Sequence, residues 1–218
     1  MSPSPNLLWQ PSLPFTGEAV RVDGTFSGVR RIQLDGESWV DHGPEWVAGS
    51  DLLFEQILSG RPWAQRSRRM YDLTVQEPRL TAPWALASGE PLEPPVLEEI
   101  RLLLSDRYGR EFDSVGFNLY RDGSDSVAWH GDRIDKEIDR PVVALVCLGE
   151  PRGFLLRPKG GGGSRSFFLG RGDLLVTGGE TQRAWEHSVP KVAQAGPRIS
   201  VAYRHSALAT QAEGNGEE

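Results

Sequence analysis

The chain has 218 residues, 38% of them apolar and 25% charged, with a formal net charge of −6. That length supports one sizeable domain with its own core. The acidic balance argues against nonspecific nucleic-acid binding by the whole surface, and no apolar run is long enough to span a bilayer.

The start, MSPSPNLLWQPSL, lacks the basic-then-apolar pattern of a signal peptide. Cys147 is the single cysteine, so no internal disulfide is possible. A cytoplasmic monomer that does not engage a membrane is expected. Residues 1–17 are proline-rich and read as extended chain on the surface. Residues 18–34 partly alternate between turn residues, which predicts short strands. Residues 50–59 read as a helix capped by Ser50, with Leu52, Leu53, Ile57 and Leu58 as its apolar stripe. A second helix is expected over 91–108, with Pro94 and Pro95 at its start and Val96, Ile100, Leu103 and Leu104 on one side.

From about residue 112 the texture changes to short apolar runs separated by Gly, Pro or Asp. Strands are predicted over 115–120, 126–130, 142–148, 153–156, 166–169, 173–176, 185–189 and 199–203. Cys147 lies in one of them and reads as core packing. Gly160 to Gly163 mark a mobile hairpin tip, and Arg171-Gly172-Asp173 a turn. The tail after Ala207 is expected to be disordered. The fold class is mainly β with flanking helices, and about eight strands suit a jelly roll.

Local charge departs from the total. Residues 61–79 hold Arg61, Arg66, Arg68, Arg69 and Arg79 against Asp72 and Glu77. Residues 152–171 hold Arg152, Arg157, Lys159, Arg165 and Arg171 with no acid. Two such segments can line a positive groove for a polyanion, or be two solvated loops.

His130-Gly131-Asp132 and the distant His187 have the chemistry of a two-histidine, one-carboxylate site for non-haem Fe(II). Arg198 and Arg204 supply cations for a carboxylate-bearing co-substrate, because an arginine fork grips a carboxylate bidentately. His130 and Asp132 are two residues apart, as are Asn118 and Tyr120, and Arg198 and Arg204 are six apart. Even spacings put each pair on one face of a strand, while Ile199, Val201 and Tyr203 face the other way. A polar inner face on an apolar strand is costly unless a ligand satisfies it. Singly, each of these features is an ordinary turn, hairpin or ion pair; His42 and His205 are taken as structural. The conjunction points to an oxygenase.

These residues resemble the AlkB-type Fe(II)/2-oxoglutarate dioxygenases. The likeness runs from Phe117 to His205 through FNLYRDG, WHGD, ALVCLGEPRGFLLRPK, GDLLVTGGETQRAWEHSVP and PRISVAYR, and EPRLTAPW resembles the family's substrate lid. The resemblance implies a double-stranded β-helix core over 111–207, an N-terminal α/β extension with a nucleotide-recognition lid over 1–110, and a tail over 208–218. It implies iron at His130, Asp132 and His187, and 2-oxoglutarate at Asn118, Tyr120, Arg198 (distal carboxylate) and Arg204 (metal-chelating end). With O₂, the reaction is oxidative dealkylation of N-alkylated bases of the 1-methyladenine and 3-methylcytosine type in DNA or RNA. It releases formaldehyde, succinate and CO₂, and needs a single strand or a flipped base. Arg79, Trp84, Asp135 and Arg157 are expected to contact substrate, with Trp63, Tyr71 and the arginines at 66–69 as further lid candidates. The sequence departs from the family where acids follow the metal aspartate: Arg133 and Ile134 stand there, and Asp135 is the next acid. Ser200 stands where some members carry asparagine, and the lid is short. A same-fold dioxygenase acting on a protein or small molecule is the alternative. A metal-binding jelly roll without oxygenase activity is a third reading.

Overall fold

The structure is a computed structural model that describes residues 19–70, 73–132 and 134–206. The expected extended start, the expected disordered tail, Tyr71 and Arg133 lie outside the described residues. The elements in chain order are β1 (Arg21–Val22), β2 (Arg30–Gln33), β3 (Ser38–Gly43), β4 (Val47–Ala48), α1 (Ser50–Gly60), β5 (Ala64–Met70) and β6 (Leu73–Ala85). After a 3-10 turn at Leu86–Ser88 come α2 (Val96–Tyr108), β7 (Ser114–Tyr120), β8 (Val127–His130), β9 (Val143–Gly149) and β10 (Arg152–Pro158). The chain continues through β11 (Arg165–Leu169), β12 (Asp173–Gly179), α3 (Thr181–Ala184), β13 (Trp185–Val189) and β14 (Arg198–Arg204). Each of the eight strands predicted after residue 112 is present, one for one, as β7 to β14.

Those eight strands divide between two antiparallel sheets. The large sheet runs β2-β3-β12-β9-β14-β7-β6-β5, and the small one β11-β10-β13-β8. The two sheets form the jelly roll. Strand alternation builds two cores. On β14, Ile199, Val201 and Tyr203 join a cluster with Leu53, Phe54 and Ile57 of α1 and Leu97, Ile100 and Leu104 of α2. The opposite face of the large sheet turns inward to meet Phe154, Leu156, Phe167 and Trp185 of the small sheet. Fully burying such side chains contributes about 1.5–3 kcal/mol each. The polar residues of β14 lie on the inward face, where the functional site forms.

The helices depart from the sequence reading at their starts. Gly49, in the left-handed region at φ 67°, caps α1, and Ser50 is its first residue with no capping bond. Phe54 takes the buried place expected for Leu52. α2 begins at Val96, after both prolines, and its buried side centres on Leu97, Ile100, Arg101 and Leu104. Arg101 is tolerated there because Glu98 pairs with it at 2.7 Å and it donates to the Phe112 carbonyl. The hairpin of β5 and β6 was not predicted. It extends the large sheet across residue 110, so strands from both sides of that position share one sheet.

Candidate metal and co-substrate site

β8 and β13 pair so that His130 stands opposite His187. Their rings lie 4.3 Å apart between centroids. Asp132 follows two residues after His130, just past the end of β8. The ligand atoms of His130, Asp132 and His187 all lie within 4.8 Å of one another, the only such group among the described residues. His130 Nδ1 lies 2.8 Å from the Ala128 carbonyl oxygen. A donor N–H at Nδ1 leaves Nε2 as the ligand atom, the usual way a backbone carbonyl orients a metal-binding imidazole. Phe154 stacks on His187 at 5.1 Å.

The electrostatics suit a cation. Burial pushes the His187 pKa down to about 4, with Asp132 opposing and His130 and Arg204 adding to the fall. The ring is therefore neutral at neutral pH, as a ligand must be. Burial pushes the Asp132 carboxyl up, but the Arg204 guanidinium and the two imidazoles outweigh it and hold the group below its ordinary value. Arg204 Nη2 donates to Asp132 Oδ1 at 3.0 Å. Gly116, on the neighbouring strand, leaves room for that arginine: a Cβ there would stand 3.1 Å from Arg204 Nη1.

The co-substrate candidates converge from β7 and β14, where Arg198 pairs with Tyr120 and Ser200 with Asn118. Arg198 is 1% exposed. Its Nε donates to the Leu169 carbonyl at 3.1 Å, and its Nη2 to Cys147 Sγ at 2.9 Å. Its Nη1 is buried and has no partner among the described residues. The Tyr120 ring lies 5.2 Å from the guanidinium carbon. Asn118 Nδ2 donates to Ser200 Oγ at 3.5 Å. Thr81 pairs across from Asn118, and its buried hydroxyl also lacks a partner among the described residues. Two unpartnered polar atoms on one inner face, one carrying full charge, are the mark of a site built for a polar guest.

The four substrate candidates fare differently. Trp84 is a core residue. On β6 it pairs with Val115, lies in the helix-side cluster and donates its indole N–H to the Glu90 carbonyl. Strand alternation turns it away from the face that carries Thr81. Trp63 is likewise structural, packed on the same cluster and donating to the Leu58 carbonyl. Arg79 is committed inward: its Nε donates to Asn118 Oδ1 at 3.1 Å, and Glu77 pairs with it at 3.2 Å. Arg157 pairs with Glu186 at 2.6 Å and covers Trp129 at 3.9 Å, on the face of the small sheet opposite to Leu156. Asp135 is exposed and closes a turn by accepting the Glu137 N–H. Arg152 is buried, bonded to the carbonyls of Asp122, Asp125 and Pro190. The excess of charge counted over 152–171 is therefore not all presented to solvent. The residue that sequence reasoning passed over is Cys147: its role as partner of Arg198 needs the pairing of β9 with β14, which no local pattern reveals.

The 2OG-Fe(II) oxygenase superfamily model matches residues 63–209. Human alpha-ketoglutarate-dependent dioxygenase alkB homolog 3 is 33% identical over 198 residues, 82% of this chain and 67% of that protein. The chain is an AlkB-type 2OG-Fe(II) oxygenase. The Arabidopsis thaliana DNA oxidative demethylase ALKBH2 is 32% identical to this AlkB-type chain over 193 residues, 70% of it and 60% of the relative. The chain spans roughly half to two thirds of the length of the curated relatives it matches. The solved structure of OsALKBH1 shares the fold with a TM-score of 0.57 at 14% identity, covering 81% of this chain and 100% of that one. Membership of the AlkB-type family brings Fe(II), 2-oxoglutarate and O₂. The residues fit them: two imidazoles, that of His187 held neutral by burial, and an ionised carboxylate for the metal, and a buried guanidinium with a free N–H for a dicarboxylate.

Proposed function

We propose that this protein oxidatively removes alkyl groups from ring nitrogens of nucleic-acid bases, on a single strand or on a base flipped out of a duplex, and works as a monomer. In this reading His130, Asp132 and His187 hold Fe(II), and Asn118, Tyr120, Arg198 and Arg204 hold 2-oxoglutarate. When bound, the iron with 2-oxoglutarate and O₂ supplies the oxidant that hydroxylates an N-methyl group, with succinate and CO₂ released and formaldehyde shed from the hydroxymethyl product. The chain's own residues bind and orient. Arg204 holds the Asp132 carboxylate in place, and the Ala128 carbonyl fixes His130. The single observation that carries the reading is that the three-ligand group of the small sheet and a buried, incompletely paired arginine of the large sheet both belong to the interior between the two sheets.

The substrate class draws support from the relatives, one of which is named a DNA oxidative demethylase. Arg66, Lys159, Arg165 and Arg171 have no acidic partner among the described residues and are available to phosphates. Asp135 is the exposed acid nearest in sequence to the metal carboxylate and remains the candidate for contact with the base.

The test incubates iron-loaded protein with 2-oxoglutarate and oligonucleotides carrying 1-methyladenine or 3-methylcytosine, read by mass spectrometry. Loss of one methyl mass that depends on 2-oxoglutarate is expected. Succinate release with every oligonucleotide unchanged would move the substrate to a protein or small molecule.

A further inference from the structure

We propose that Cys147 is a positioning residue for co-substrate selection: its thiol orients Arg198 without neutralising it, so that the free N–H of that arginine is kept for the distal carboxylate of a keto-diacid. The proposal rests on the reading of Arg198 given above and adds a residue to it.

The placement comes from three strands. Cys147 on β9 stands directly across from Ser200 on β14, and on the inner face. The Arg198 side chain, two residues away on the same face, reaches back so that Nη2 lies 2.9 Å from Cys147 Sγ. The Leu169 carbonyl takes Nε from the neighbouring small sheet. These two acceptors fix the plane of the fork. The remaining nitrogen, Nη1, is buried and unpartnered, and no salt bridge to Arg198 is present among the described residues.

The chemistry of the acceptor matters. A carboxylate at 147 would pair with Arg198 and cancel the charge the guest needs. An aliphatic side chain would leave Nη2 unpaired and the fork free to rotate. A thiol is a weak, polarizable acceptor that fits an apolar core. Burial pushes the Cys147 thiol up, with Arg198 opposing, so it stays protonated and uncharged. Arg198 therefore keeps its full positive charge and one aimed donor.

Plain packing makes the opposite forecast. If Cys147 only filled space, Ala or Val would be tolerated and Ser, a buried hydroxyl, would be the harmful change. The test measures binding of 2-oxoglutarate by calorimetry to full-length protein loaded with Mn(II), beside 2-oxovalerate, which shares the keto-acid end and lacks the distal carboxylate. C147A and C147V are expected to weaken 2-oxoglutarate about tenfold, the loss that one hydrogen bond to a charged group carries. C147S is expected to stay within about threefold of wild type, and 2-oxovalerate to be unchanged in all three. Melting temperatures report whether each variant is folded, and Val serves if Ala is not. Equal weakening of both acids, or wild-type 2-oxoglutarate binding in the folded Ala or Val variant, overturns the proposal. Wild-type protein that fails to bind 2-oxoglutarate at all would instead overturn the proposed function.

Discussion

Arg198 brings a positive charge into a place almost closed to solvent, with no carboxylate among the described residues to meet it. Such an arrangement is destabilising in the protein without its co-substrate, because a buried unpaired ion forfeits hydration. Arg198→Met is therefore expected to melt higher than wild type when no 2-oxoglutarate is present, by about 2–4 °C for each kcal/mol recovered. The same variant should lose at least roughly thirtyfold in 2-oxoglutarate affinity. A lower melting temperature would show that Arg198 is a structural cation. His130→Ala should lower Mn(II) affinity and abolish 2-oxoglutarate-dependent succinate release; full release in that variant sinks the metal assignment. His205, read from the sequence as structural, accepts the Val142 N–H through Nε2 at 3.1 Å, so its ring must be neutral. Burial lowers its pKa, helped by Arg110 and opposed by Asp113. The unfolded chain then binds more protons from about pH 6.5 down to the depressed value, and stability falls as pH drops through that window. Metal-free protein should melt lower at about pH 5 than at about pH 7, and His205→Gln should flatten that profile in part. The flattening is partial because His187, pushed down to about 4, has the same sign.

β14 shows how an element's alternation does two tasks at once. Its odd-numbered residues close the core beneath the helices, while Arg198, Ser200 and Arg204 are left for the interior. That division was legible because Ile199, Val201 and Tyr203 are plainly apolar. The facing of β6 was not legible. Arg79 and Thr81 turn inward, whereas Leu80, Ala82 and Trp84 meet the helix cluster, a parity that only pairing with β7 decides. β5 escaped detection for a related reason: Ala64, Gln65, Arg66 and Ser67 are all exposed, so that stretch writes no apolar alternation into the sequence. Two glycines mark where elements approach closely. A Cβ on Gly116 would press on Arg204, and Gly116→Val is expected to loosen its hold on Asp132 and lower Mn(II) affinity about tenfold or more. Wild-type metal affinity in that variant would show that Arg204 does not organise the ligand. At Gly178 a Cβ would fall 2.1 Å from Trp39 Cζ2. Gly178→Ala should therefore destabilise the protein by about 1–3 kcal/mol in denaturant unfolding, the usual range for overpacking.

At the scale of the whole molecule, formal charge is a poor guide to what a polyanion would meet. Arg152 is spent on main-chain carbonyls, Arg157 on Glu186 and Arg79 on Asn118 and Glu77. With Arg66, Lys159, Arg165 and Arg171, the basic-segment cations without an acidic partner among the described residues, to release counterions, single-stranded oligonucleotide binding should weaken with salt at a log–log slope of about −2 to −3. A slope near zero would point away from a phosphate-bearing substrate. No helix among the described residues is long and apolar enough to cross a membrane. The sequence by itself determined the eight strands after residue 112, the three residues that come together as a candidate metal site and the inward parity of Arg198 and Arg204, because chemistry of that kind is written in residue types and even spacings. Only the tertiary structure decided that Trp84 is core, that Arg79 braces Asn118 and that Cys147 meets Arg198. Each of those depends on which strand lies beside which, a contact between residues far apart in the chain that no local period encodes.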